Sequence, residues 1–82
     1  MLETGSFSIA TIHVTRARMK TLDPAKVEAL AVDIIDNGQT TPIQLRADGK
    51  RYVLIEGLHR LEALRALGEE FIEGVLVRAR LH

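Results

Sequence analysis

The sequence predicts a small α+β domain: a mixed sheet containing one β-hairpin, packed against two main helices. Three observations carry this. An apolar stripe of helical period, Val27, Leu30, Ala31, Ile34 and Ile35, lies between a start signal at Asp23-Pro24 and a stop at Asn37-Gly38. Two β-rich segments meet at Asp48-Gly49, a tight-turn pair, so residues 42–55 read as a hairpin. A second leucine-spaced segment, Leu58, Leu61, Leu64 and Leu67, ends at Gly68 and leads into another β-rich run.

Taken in order, Met1 to Ser6 is polar and is expected to be loose. Phe7 and Ile9 share one parity and Ile12 and Val14 the other, so a short strand should end near Ala10, with a bend anchored by Ile12. Arg16, Arg18 and Lys20 follow in a basic connection. It is either a solvated loop or an arm reaching towards an anion. In the first helix Asp23 supplies the N-cap acceptor and Pro24 the first helical position. Thr41-Pro42 opens a strand, where proline is tolerated, and Lys50 to Ile55 returns antiparallel to it. The second helix is expected over Leu58 to Leu67, with the leucines inward and His59, Arg60, Glu62 and Arg65 on the remaining surface. A last strand should start at Phe71 and fray from Arg78 to His82. If it ran parallel to the strand before the second helix, the unit over residues 51–77 would be a right-handed crossover.

Length and composition bound the function. Residues 1–82 make room for one domain, whose modest core predicts marginal stability or help from a protein partner or homodimer. Hydrophobic content of 46% excludes a disordered chain, and zero formal net charge excludes a global basic field, so DNA contact would need a local patch. The absence of cysteine excludes disulfides, thiolate metal sites and thiol chemistry. No apolar run reaches the ~18 residues of a membrane span, and no leader pattern opens the chain, so a cytoplasmic location is expected.

Chemistry concentrates at Ile55-Glu56-Gly57-Leu58-His59-Arg60, where a strand turns into a helix. Gly57 permits a sharp turn and close backbone approach by a ligand. His59 and Arg60 stand at a helix N-terminus, where free N–H groups and the helix dipole favour anions. Cations there oppose the dipole, an arrangement that makes sense if a phosphate or carboxylate joins them. The bland alternative is a solvated helix start with Arg60 paired to Glu56 or Glu62. Lys26 stands in the first turn of the first helix, again against the dipole, and shares a line with Ala29 and Asp33. A lone lysine of this kind is more often simply exposed.

Three segments, Leu22-Asp23-Pro24-Ala25-Lys26-Val27, Thr41-Pro42-Ile43 and Gly57-Leu58-His59-Arg60, resemble the ParB/sulfiredoxin superfamily in order and spacing. The resemblance runs from about Ile9 to Val77. It implies a ParB/sulfiredoxin-like fold and a site for a nucleoside triphosphate of the ATP or CTP type, with or without Mg²⁺. Carried over residue by residue, the phosphate contacts fall on Lys26, Gly57, His59 and Arg60. Glu56 is then the candidate metal contact or general base for NTPase or phosphoryl-transfer chemistry; its bland alternative is a strand-end carboxylate paired to Arg60. Binding should tighten below about pH 6.5, where a histidine gains its proton. The departures are equally specific. Leu58 stands where sulfiredoxins keep their catalytic cysteine, so sulfinic-acid reduction by a thiol is excluded. Ala29 and Asp33 replace hydroxyl side chains, and Asp33 would repel phosphate unless a metal intervened. ParB proteins continue into a helix-turn-helix domain where this sequence stops, so operator recognition does not follow. Two further functions compete: a DNA-binding or nuclease-type module using Arg16, Arg18 and Lys20, and a degenerate domain acting by protein–protein contact.

Overall fold

The structure, a computed structural model, describes residues 4–78. Among the described residues five strands and three helices follow in the order β1 (Thr4–Ser8), a 3₁₀ turn (Ile9–Thr11), β2 (Ile12–His13), α1 (Arg16–Met19), α2 (Pro24–Asn37), β3 (Ile43–Asp48), β4 (Arg51–Glu56), α3 (Leu58–Ala66) and β5 (Phe71–Leu76). The strands form one mixed sheet in the order β1-β5-β3-β4-β2. This is the α+β architecture expected, with the hairpin β3–β4 at its centre and α2 and α3 as the main helices.

Local sequence explains most elements. The Asp23 carboxylate accepts from the Ala25 N–H at 3.0 Å, and Gly38 ends α2 with φ 74°. The parity switch between Ile9 and Ile12 is the 3₁₀ turn, closed by the Thr11 hydroxyl donating to the Ser8 carbonyl at 2.7 Å. Ile43, Leu45, Leu61 and Ile72 are fully buried at the heart of the core, joined by Ile9, Leu54, Leu58 and Leu64. Ala63 is also buried, and its small side chain lets α3 lie close to its neighbours.

Four expectations are corrected. Thr4 to Ser6 are not loose: they belong to β1, which pairs antiparallel with β5 from Thr4↔Val75 to Ser8↔Phe71. Backbone pairing needs no apolar side chain, which is why composition hid this strand. The basic connection is a single helical turn, capped where Thr15 accepts from the Arg18 N–H at 3.3 Å. Ile35 does not face the core; it and Val32 are exposed on the outer surface of α2, while Val27, Leu30 and Ala31 pack partly buried against the core. The strands flanking α3 are not parallel neighbours, because β3 lies between them: antiparallel to β4 and parallel to β5. The final strand ends at Leu76, and the expected fraying of residues 79–82 lies outside the described residues.

Side chains stitch the ends of the sheet. The Gln39 amide donates to the carbonyls of Thr41 at 3.0 Å and Glu73 at 2.8 Å, and accepts from the Glu73 N–H at 2.8 Å. It thereby continues the β3–β5 ladder before β3 begins. Phe7 meets Tyr52 edge to face, with ring centroids 5.0 Å apart.

Candidate functional site

The turn from β4 into α3 is made by Gly57, at φ 111°. A Cβ there would lie 2.5 Å from Ile43 Cγ2, so the close neighbour that demands glycine is a core side chain of β3. The sharp turn expected of this glycine is present, and Gly57 also lines the cleft described below. The start of α3 therefore packs closely on β3.

Having no side chain, Gly57 cannot cap α3. The first backbone bond of the helix runs from the Leu61 N–H to the Gly57 carbonyl at 2.9 Å. The N–H groups of Leu58, His59 and Arg60 therefore precede the helical ladder and form its positive end. At α2, by contrast, Asp23 already occupies that position.

The two helix starts border one cleft of about 560 Å³, within the usual range of small-molecule sites. Lys26, Gly57, His59 and Arg60 all line it, together with Glu56. Arg18, read from the sequence with the basic connection, also lines it because the α1 turn carries it there; Arg16 and Lys20 do not, and both are exposed. A DNA-backbone patch built on those three cations is thus divided between cleft and open surface. Thr21 is a lining residue that sequence reasoning missed; its hydroxyl donates to the Arg18 carbonyl at 2.7 Å. The cue was present in the threonines bracketing the basic turn, Thr15 and Thr21.

Arg60 is the most distinctive group. Its Nε is buried without a hydrogen-bond partner among the described residues. Neither expected carboxylate pairs with it: Glu62 binds Arg65 at 3.3 Å, and Glu56 makes no ion pair among the described residues. A shielded guanidinium N–H left unsatisfied is costly, and an anionic acceptor entering the cleft would relieve that cost.

His59 plays a different part from the cation expected. Its Nε2 accepts the Asp23 backbone N–H at 3.0 Å, tying the start of α3 to the N-cap of α2. That bond requires an unprotonated Nε2, so the proton sits on Nδ1, the donor left for a ligand.

Leu58, where the resemblance expects the sulfiredoxin cysteine, is buried in the core cluster and is among the residues lining the cleft. No helix among the described residues is long and apolar enough to cross a membrane.

Comparison with known proteins bears on this arrangement. The family model of the ParB N-terminal domain matches residues 3–81. A sulfiredoxin crystal structure from Arabidopsis thaliana superimposes with TM-score 0.83 at 25% identity, covering 94% of this chain and 86% of that one. ParB from Caulobacter crescentus, complexed with CTP-γ-S, superimposes with TM-score 0.82 at 17% identity over 95% of this chain and 46% of its own. A free serine kinase mutant in complex with ADP gives TM-score 0.79 at 18% identity over 90% of this chain and 30% of its own. The chain thus spans less than half the length of the last two. Comparison with curated protein sequences finds no match.

Proposed function

This chain belongs to the ParB N-terminal domain family, and from that premise we propose that its cleft binds the phosphates of a nucleoside triphosphate of the ATP or CTP type. The observation that carries the proposal is the unpartnered Arg60 Nε beside the uncapped start of α3. Lys26 and Arg18 add positive charge to the lining, and His59 offers Nδ1. Nucleotides bound by a ParB protein and a serine kinase of the same fold support the reading. Glu56 is the candidate for a Mg²⁺ contact or for the general base, should hydrolysis or phosphoryl transfer follow binding. The described residues 4–78 act as one domain in this proposal.

Calorimetric titration with ATP, CTP, ADP and GTP, with and without Mg²⁺, tests it. Saturable binding of one nucleotide that is weakened by Arg60→Ala is expected. Absence of binding by every nucleotide, and by tripolyphosphate, would overturn the proposal and favour a domain acting by protein contact.

A further inference from the structure

The cations of the cleft come from segments far apart in the chain. Arg18 and Lys26 belong to α1 and α2, whereas Arg60 stands at the start of α3. Like charges brought to one cleft repel, so something must hold the two helix starts in register before an anion arrives. Val27, Leu30 and Ala31 of α2 pack against the core cluster that includes Leu58, Leu61 and Leu64 of α3. Apolar contact of this kind has no direction. Among the described residues, one hydrogen bond joins α3 to α2 or to the turn before it: the Asp23 N–H donates to His59 Nε2 at 3.0 Å. Its place is specific. The Asp23 carbonyl accepts from the Lys26 N–H at 3.0 Å, and His59 immediately precedes Arg60. Arg18 is held in a turn that ends just before Asp23, where the Thr21 N–H and hydroxyl both donate to the Arg18 carbonyl, at 3.0 and 2.7 Å. A bonded path thus runs from Arg18 and Lys26 through Asp23 and His59 to Arg60.

We propose that His59 is a positioning residue: through Nε2 it sets the spacing between Arg60 and the segment carrying Arg18 and Lys26, and this outweighs its own contact with a ligand. The proposal rests on the nucleotide reading above and deepens it. A neutral imidazole has one acceptor nitrogen, and here that acceptor is spent on the backbone of another helix. Asp23 is exposed, so water can take over its N–H when the imidazole is removed. Loss of the bond therefore leaves the domain folded while freeing the two helix starts to move apart.

Two amide side chains separate the roles of the two nitrogens. Glutamine can place an acceptor oxygen near the position of Nε2, whereas asparagine reaches only that of Nδ1 and can offer a donor there. The test titrates tripolyphosphate calorimetrically into the full chain as wild type, His59→Gln, His59→Asn and His59→Ala. Circular dichroism checks that each is folded, and hydrogen exchange is read at the Asp23 amide without ligand. Both amide variants should bind more weakly than the wild type. His59→Gln should nevertheless bind about two- to tenfold tighter than His59→Asn, the span of one net hydrogen bond. Its Asp23 amide should also exchange more slowly than in His59→Asn or His59→Ala. Equal binding by the two amide variants, or tighter binding by His59→Asn, would overturn the proposal and assign His59 to a ligand contact through Nδ1. Exchange at Asp23 that is alike in wild type and His59→Ala would overturn it too, because the bond would then not restrain the helix starts. If the wild type binds neither tripolyphosphate nor any nucleotide, the nucleotide reading itself fails and the proposal falls with it.

Discussion

Replacing Gly57 by alanine is the sharpest test of how the cleft is held. Two costs add. At φ 111° a non-glycine residue occupies a left-handed backbone region, at about 1–2 kcal/mol. The new Cβ also falls 2.5 Å from Ile43 Cγ2 and 3.0 Å from Ile43 Cβ, inside a fully buried site that cannot give way easily. Overpacking of that kind costs about 1–3 kcal/mol, for a total of about 2–5 kcal/mol. Gly68 is the internal control: its φ is 79°, but nothing lies within 4 Å of its would-be Cβ. Gly68→Ala should therefore lose only the backbone share, about 1–2 kcal/mol. Urea unfolding followed by circular dichroism measures both, provided the m-values agree. In a domain of this size Gly57→Ala should also lower Tm by about 8 °C or more. If Gly57→Ala and Gly68→Ala agree within about 0.5 kcal/mol, the Ile43 contact does not lock the turn and the reasoning fails.

Three further outcomes are expected. Leu64→Ala should cost about 2–5 kcal/mol, because Leu64 is buried between α3 and the core; a loss below about 1 kcal/mol would show that α3 presents another face. Arg60→Ala should weaken nucleotide binding more than Lys26→Ala in calorimetry, since a guanidinium grips two oxygens in a fixed fork while an ammonium acts as a point charge; the reverse order would displace Arg60 from the site. Gln39→Ala should cost about 1–3 kcal/mol and speed hydrogen exchange at the Glu73 amide, its partner at 2.8 Å; unchanged exchange there would refute the ladder-extending role.

The sequence alone determined the features that depend on neighbours along the chain. Asp23-Pro24 starts a helix because a side chain two residues from an N–H can cap it, and Asp48-Gly49 turns a hairpin because φ is positive at Gly49. The leucine spacing of α3 needed nothing but the helical repeat. Family motifs added Lys26, Gly57, His59 and Arg60 as a group, and the fold brings all four to one cleft. Contacts between distant segments were beyond such reasoning. The polar strand Thr4–Ser8 exists because β5, some 65 residues later, offers backbone partners. The bond from Asp23 to His59 spans 36 residues and decides which imidazole nitrogen is engaged between the helices. Gly57 is glycine because Ile43 presses on it, and Arg18 belongs to the cleft because a helical turn carries it there. Periodicity and capping are local and short-ranged, so they are written in consecutive residues. Strand pairing, close approach and the meeting of charges are set by how elements pack in space, so the tertiary structure decided them.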